Sequence, residues 1–129
     1  MNVLVAEEIR KEIYTLIKNS RKEVILLLDG IRMQNTVEVH AVIPVKNSAR
    51  SSFAFIVEEK DFNNAKACVL YNFVGLFHSH KSSNKLSESD AEQLRKTGYL
   101  WMIGSIFEEE LVLNGFCLNN GEIKEVKIS

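Results

Sequence analysis

Apolar residues recur along this chain with two different spacings, and each change of spacing marks a new helix or strand. Over residues 4–18 they repeat every three or four positions, as in Ile9, Ile13 and Ile17, which predicts an amphipathic helix. Residues 23–28 instead form a nearly continuous apolar run, whose length is typical of a buried strand. In chain order, the predicted elements are a helix over 4–18, strands over 23–28, 37–45 and 53–57, a helix over 58–68, a strand over 69–78, a helix that begins at Ser87, and strands over 99–107, 111–118 and 123–128.

This order of elements predicts one mixed domain. The last two strands are separated by Asn119-Asn120-Gly121, a hairpin signal because Asn and Gly adopt positive φ at low cost. Helices that alternate with strands predict an α/β or α+β domain with one main sheet and helices against it. A chain of 129 residues is the size of a single domain, here residues 1–129, because a second core would be hard to fit.

Composition and charge narrow the class of protein. Hydrophobic residues make up 46% of the chain and charged residues 26%, as in an ordinary soluble protein. The formal net charge of -1 provides no global field for nucleic acid or an anionic membrane. Neither a signal peptide nor a membrane-spanning apolar run is apparent, so we expect a cytoplasmic protein. Cys68 and Cys117 match no paired spacing, and we expect both to be small buried residues in a reducing cytosol.

Two of the three histidines lie in the segment His78-Ser79-His80, and Asp90 follows ten residues later. Side chains at i and i+2 of a strand point to the same side, so both imidazoles can reach one ion. A carboxylate in the first turn of the helix that begins at Ser87 is favoured by the helix dipole. Two imidazoles and one carboxylate are a suitable set for a zinc ion that keeps one position open for water. The alternative is a chance pair of histidines on a polar loop.

Ser87 and Glu23 each admit a structural and a functional interpretation. Ser87 followed by Asp90 resembles a capping box, which explains both residues as the start of a helix. Glu23 is the first residue of an otherwise apolar run, so its carboxylate is either a solvated strand end or a base. A metal hydrolase needs such a base to take the proton of the attacking water. The residues alone leave both alternatives open.

Three further residues have structural interpretations. Ser79 lies between the two histidines, so on a strand it points away from them, and we expect it to pack or to form a hydrogen bond beneath the site. His40 lies in a strand with an alternating pattern and is expected to be a surface or partly buried structural histidine. Trp101 is most simply a core residue.

Taken in order, these residues resemble the JAMM (MPN, Mov34/MPN/PAD-1) zinc metalloprotease family. That family's pattern is a Glu on the first strand, His-Ser/Thr-His, an intervening run, and then Ser, two residues and Asp. The matching positions of this chain are Glu23, His78-Ser79-His80, Ser87 and Asp90. The flanking segments 23–30, 75–78 and 101–106 are also similar, so the resemblance covers nearly the whole chain.

The resemblance implies a cytidine-deaminase-like/MPN fold, with one central, mostly mixed β-sheet flanked by helices. Zinc would be held by His78, His80 and Asp90. Glu23 would act as the general base, and Ser87 would donate a hydrogen bond to the oxyanion. The implied enzyme is a metalloprotease, a deubiquitinase-like isopeptidase. Its substrate would be the bond after the C-terminal tail of a ubiquitin-like modifier or sulfur-carrier protein, with the tail bound by strand addition.

The short chain resembles a small stand-alone prokaryotic member, with little room for substrate-recognising insertions. The segment between His80 and Ser87 is one residue shorter than is usual, and Lys81 and Leu26 replace a usual Pro and Gly. These departures make substrate contacts harder to predict than chemistry. Two alternatives remain, a non-catalytic MPN scaffold or partner domain and a hydrolase of a small amide. Nucleic acid and membrane are not expected partners, and the oligomeric state, a homodimer included, stays open.

Overall fold

The computed structural model describes residues 1–49, 57–81 and 85–129. Within these ranges, three helices are interspersed among strands over the first three quarters of the chain, and strands alone complete it. In chain order, the elements are β1 (Asn2–Val5), α1 (Glu7–Lys18), β2 (Ile25–Met33), β3 (Thr36–Val45), α2 (Glu59–Lys66), β4 (Asn72–Ser79), α3 (Glu88–Thr97), β5 (Trp101–Phe107), β6 (Glu110–Asn119) and β7 (Glu122–Ile128).

The described strands form a closed barrel in the order β1-β3-β2-β4-β5-β6-β7. The first strand closes it, because β1 pairs in parallel with β3 on one side and with β7 on the other. The expected cytidine-deaminase-like/MPN arrangement, one central sheet flanked by helices, is therefore wrong. The α/β and α+β predictions did not include the closure of the barrel. The strand that closes it, β1, has only four residues, too few to show a recognisable hydrophobic period in the sequence.

The N-terminal prediction fails for the same reason. The apolar spacing predicts a helix over 4–18, whereas residues 4 and 5 end β1 and the helix begins at Glu7. Val3 and Val5 are buried in the barrel core, so their pairing across the sheet outweighs the local helical spacing.

The second strand is longer than its apolar run. It continues past Asp29-Gly30 to Met33, with an irregularity in its pairing with β3 at that point. Gly30 permits the continuation, because a Cβ there would overlap the carbonyl oxygen of Glu38. The strand expected over 53–57 falls mainly on residues 50–56, which lie outside the described residues.

The closing hairpin is confirmed. Strands β6 and β7 pair in antiparallel fashion through Asn119 and Glu122, which leaves a two-residue connection. Its residues, Asn120 and Gly121, have φ of 52° and 79°. Positive φ at both central positions is the requirement of a type I′ turn, whose twist matches that of the flanking strands.

Both faces of β2 are buried, which explains its continuous apolar sequence. Leu26 and Leu28 belong to the core cluster that also holds Ile13 of α1. Ile25 and Leu27 face the other way, into a second cluster with Ala65 of α2. Because alternate residues of a strand point to opposite sides, α1 and α2 cover opposite faces of this strand. The second face is the one that carries the candidate site.

Two expectations drawn from composition can be compared with the structure. The expectation that both cysteines are buried is wrong for Cys68, which is exposed just after α2, while Cys117 is partly buried against the first core cluster. Among the described residues, none of the helices has the length and apolar character that crossing a membrane requires.

Candidate metal centre

The two histidines of the motif lie at the end of β4, on the face covered by α2. His78 is paired with Ile25 of β2, and His80 follows immediately after the last residue of the strand. Their side chains point to the same side, as the strand period predicted. The Nε2 atoms of His78 and His80 are 2.9 Å apart. His78 is buried, whereas His80 is half-buried, so the pair has one closed side and one side that solvent reaches.

Asp90 completes this group from the first turn of α3. One carboxylate oxygen lies 3.0 Å from Nε2 of His78, and the other lies 3.1 Å from Nε2 of His80. Burial alone would raise the pKa of Asp90, but the contacts with the two imidazoles and a backbone hydrogen bond from Ser87 hold it well below its usual range. Asp90 is therefore an ionised carboxylate in a buried position, which is the form that binds a cation.

These three side chains fit the requirements of a zinc site. Their ligand atoms all lie within 4.8 Å of one another, and within the described ranges no other group of three such side chains does. Around a tetrahedral zinc ion, nitrogen and oxygen ligands at about 2.0–2.2 Å from the metal are roughly 3.3 Å apart. The nitrogen and oxygen atoms, now 2.9–3.1 Å apart, would therefore have to separate by only a few tenths of an ångström.

Glu23 lies beside this group, on the segment that leads into β2. The pairing of Ile25 with His78 continues by one step, because the N–H of Ser79 donates to the carbonyl oxygen of Val24 at 2.9 Å. This register sets Glu23 opposite His80 and on the same side of the sheet. Glu23 is only 8% exposed, so it is not a solvated strand end.

The electrostatic surroundings of Glu23 act in two directions. Burial raises the pKa of Glu23, the neighbouring imidazoles of His78 and His80 lower it, and the Asp90 carboxylate raises it, with a net shift upward from its usual value of 4.5. The backbone here is also held from the other side, since Nδ2 of Asn47 donates to the Glu23 carbonyl oxygen at 2.9 Å. Glu23 is thus a shielded carboxylate of raised proton affinity, carried on a backbone segment that is held on both sides.

Ser87 is the N-cap of α3, and the predicted capping box is confirmed. The Asp90 N–H donates to Oγ of Ser87 at 3.1 Å, and the Ser87 N–H donates to the Asp90 carboxylate at 3.0 Å. A hydroxyl that accepts a bond can still donate its own proton. Because Ser87 is exposed, its O–H is accessible to a molecule that binds at the site. The capping role and a role as a donor are compatible.

The structural roles predicted for Ser79 and His40 are confirmed. Ser79 points away from the histidines, and its Oγ accepts a 2.7 Å hydrogen bond from the backbone of Val24. His40 is exposed on β3, where it contacts Glu38 at 3.2 Å and packs against the ring of Tyr71. His40 takes no part in the group formed by the other two histidines.

The prediction that Trp101 is a core residue is confirmed, but it gave no indication that Trp101 also lies beside the site. It is buried at the start of β5, and its ring meets that of His78 edge to face at 5.2 Å. Its Nε1 donates to Oγ1 of Thr97 at 3.3 Å. One feature of the sequence points to this contact, because a strand that follows α3 can lie beside β4. The register of β4 and β5, which brings the two rings together, is set by the tertiary structure.

Comparisons with known proteins identify the fold and no activity. No protein-family model and no curated protein matches this chain. Protein DSY2949 from Desulfitobacterium hafniense has a similar solved structure, with a TM-score of 0.80 at 20% identity, covering 100% of this chain and 92% of that one. A protein from Salinibacter ruber gives a TM-score of 0.66 at 19% identity, covering 99% and 90%. At these identities the likeness shows a shared fold alone, and neither name states a function.

Proposed function

We propose that this chain is a zinc-dependent peptidase or isopeptidase. The observation that carries the proposal is the convergence of His78, His80 and Asp90 on one point, with the buried carboxylate of Glu23 on the same face. Membership of the JAMM family is part of the proposal and rests on the site positions alone, because the residues of that pattern occur in this chain in the family's order, whereas the closed barrel differs from the sheet expected for the family.

The ligand residues supply a partly closed cation site. His78 and Asp90 are buried, so bulk water competes little with them for the ion. His80 is partly exposed, which leaves one side of the site open to solvent. The capping box orients the Asp90 carboxylate before any ion arrives, in the way that outer hydrogen bonds position ligands in metal sites. When bound, zinc would polarise the scissile carbonyl and lower the pKa of the attacking water from about 15.7 toward roughly 7.

Glu23 would transfer the proton of the attacking water, and Ser87 would stabilise the negative charge that develops on the scissile carbonyl oxygen. Glu23 takes the proton of the attacking water and delivers it to the leaving amine, as a general base and then a general acid. Ser87 donates its hydroxyl proton to the oxygen of the scissile carbonyl as negative charge develops there. The two residues approach the substrate from different elements, the entry to β2 and the start of α3.

The proposed substrate is the bond that follows the C-terminal tail of a ubiquitin-like modifier or sulfur-carrier protein. This substrate class rests on the family resemblance of the five site positions. The strand addition expected for such a tail needs an unpaired sheet edge, and the described strands form a closed barrel, so the tail would instead lie extended across the site. A cytoplasmic location belongs to the same proposal, since Cys68 and Cys117 are free and Cys68 is exposed, as suits a reducing compartment.

One observation favours a second candidate, a non-catalytic scaffold or partner domain. Ser87 and Asp90 have a complete structural role as the cap of α3, so their presence does not require catalysis. Glu23 argues against this candidate, because capping gives no reason to bury a carboxylate of raised pKa beside two imidazoles.

Zinc quantitation paired with cleavage of a ubiquitin-like fusion tests the proposal. Wild type should bind zinc and cleave the fusion. Glu23→Gln should keep the zinc and lose about 10²–10⁴-fold in cleavage rate, the usual contribution of a general base. Glu38→Gln, a partly buried glutamate on β3, is the matched control and should behave as wild type.

The outcomes separate the candidates. Absence of bound zinc at saturating concentration, or full activity in Glu23→Gln, would overturn the proposed mechanism. A protein that binds zinc and cleaves neither fusions nor peptides would be a scaffold. Cleavage of small amides in preference to protein fusions would identify a small-molecule hydrolase.

A further inference from the structure

A cavity of about 300 Å³ lies between α2 and α3, and His78 forms part of its wall. Its floor is made by strand residues that include Ile25 and Leu76, and its sides come from the two helices. The same imidazole therefore borders both the candidate metal centre and the cavity. A group that fills the cavity would therefore contact a residue of the candidate metal centre.

The walls of the cavity are mainly apolar and aromatic. Phe62, Tyr99 and Trp101 line it together with aliphatic side chains. Apart from the Tyr99 hydroxyl and the Trp101 indole N–H, the polar side chains among its described lining residues are Gln93, Thr97, Glu59 and His78 itself, and Glu59 and Thr97 are exposed at the rim. Among these described residues there is no lysine or arginine that would pair with an acidic group.

The aromatic walls are held in place by contacts with one another. Phe73 packs edge to face with Tyr99 at 4.9 Å and with Phe62 at 5.9 Å. Trp101 is held by its edge-to-face contact with His78 and by the hydrogen bond from Nε1 to Thr97. Because these rings are already fixed, a ligand would not have to order them, which lowers the cost of binding.

We propose that this cavity, which we call the side-chain pocket, binds the apolar side chain of the residue that flanks the scissile bond. The inference rests on the proposed function and adds a specificity to it, a leucine- or phenylalanine-sized neutral side chain beside the bond that is cut. The volume is at the lower end of the range for ligand cavities, about 300–1,000 Å³, which suits one side chain rather than a cofactor.

Charge and size together define what the pocket selects. A charged side chain would lose its water there without gaining an ionic partner, and Glu59 at the rim repels an acidic one. A glycine leaves the pocket unfilled. Since one methylene in an apolar pocket changes discrimination by about 10–200-fold, leucine should be preferred over glycine by at least about tenfold in kcat/KM.

The single tryptophan of the chain allows the pocket to be tested without catalysis, because Trp101 lines it. Metal-free protein is titrated with N-acetyl-leucinamide, with N-acetyl-glycinamide and N-acetyl-glutamate amide as comparisons, and Trp101 fluorescence is recorded. We expect a saturable change with the leucine compound alone. Val57→Phe and Gln93→Phe, which fill the pocket from the segment before α2 and from α3, should abolish it. Val112→Phe on β6 is the control and should not.

A second measurement uses zinc-loaded protein and matched fusions that carry leucine, glycine or glutamate on either side of the scissile bond. Leucine should be preferred on one side, and Gln93→Phe should remove that preference while zinc binding is unchanged. Saturable leucinamide binding without cleavage of any fusion would overturn the proposed function and leave only the pocket's selectivity for an apolar side chain standing. Cleavage with no leucine preference and no fluorescence change would overturn the pocket and leave the proposed function standing.

Discussion

The backbone N–H of Val24 donates a hydrogen bond of 2.7 Å to Oγ of Ser79. The Ser79 N–H returns a bond of 2.9 Å to the carbonyl oxygen of Val24, so the two residues are joined twice. One partner follows Glu23 and the other lies between His78 and His80. The serine in the middle of the histidine motif thus holds the segment of Glu23 and that of the two histidines at one spacing.

Ser79→Ala should reduce catalysis while zinc binding is kept. The substitution leaves the Val24 N–H without its acceptor, which costs about 1–3 kcal/mol of stability in a shielded position. It also loosens the segment that carries Glu23, and we expect cleavage to fall by about tenfold or more, since small misplacements of catalytic groups are costly. Chemical denaturation, zinc stoichiometry and cleavage rate together measure this.

Two variants show whether that effect belongs to the hydrogen bond. Ser79→Thr keeps the acceptor oxygen and should recover most of the cleavage rate. Ser105→Ala removes a hydroxyl of similar burial on β5 and should leave the rate unchanged. Equal losses in Ser79→Ala and Ser105→Ala would assign the effect to packing alone.

Zinc should stabilise the folded chain, and His78→Ala should remove the effect. A ligand that binds only the native state adds about 2.7 kcal/mol when its free concentration is 100 times Kd. Thermal unfolding with zinc and with a chelator measures the difference. His40→Ala is the control, because this histidine lies on β3 beside Tyr71 and should keep the full zinc effect. A zinc effect that persists in His78→Ala would exclude this residue as a ligand.

Substitutions at Ser87 should separate its capping role from its role as a donor. Ser87→Gly should cost only a few tenths of a kcal/mol in stability, because glycine is tolerated at an N-cap. It nevertheless removes the hydroxyl proton, so we expect cleavage to fall by about 10²–10³-fold, as for other lost oxyanion donors. Ser87→Thr keeps both functions and should approach wild type. If Ser87→Gly cleaves normally, Ser87 is a cap and no more.

Glu23→Gln should stabilise the metal-free protein at neutral pH. Burial raises the pKa of Glu23 above its usual 4.5, so the ionised carboxylate opposes folding. This loss of stability is absent at pH values below the pKa of Glu23 in the unfolded chain. It develops as the pH rises through the higher pKa of Glu23 in the folded protein. We expect a gain of no more than about 1 kcal/mol, because the imidazoles offset part of the burial cost. Denaturation midpoints of both proteins in a chelator should coincide near pH 4 and separate by pH 8.

Asp29→Asn should destabilise the fold without touching the candidate site. The buried Asp29 carboxylate accepts hydrogen bonds from the backbone N–H groups of Leu70 at 2.8 Å and Tyr71 at 2.9 Å, one on each oxygen. Asparagine has a single side-chain oxygen, so one of these two backbone N–H groups would face the amide NH₂ group and lose its acceptor. We expect the free energy of unfolding to fall by about 1–3 kcal/mol. Urea denaturation measures the loss. Glu122→Gln on the surface of β7 should change stability by less than about 0.5 kcal/mol.

Features that depend on near neighbours were predicted from the sequence. The cap formed by Ser87 and Asp90 and the Asn120-Gly121 turn each arise from residues a few positions apart, whose geometry is set by local backbone rules. The alternation of a strand likewise predicted that His78 and His80 share one side. These residue types, in their order, also suggested zinc chemistry, which stays a proposal.

The closure of the barrel and the completion of the site were decided by tertiary structure. Val3 of the four-residue β1 pairs with Ile128 near the other end of the chain, and no local pattern encodes such a contact. Trp101 reaches His78 only because β5 lies beside β4 in one particular register. The sequence by itself determined which side chains are available for the proposed chemistry. Packing between distant elements decided how close they come, how far Glu23 is shielded, and which cavity opens beside them, because burial is a property of the whole chain.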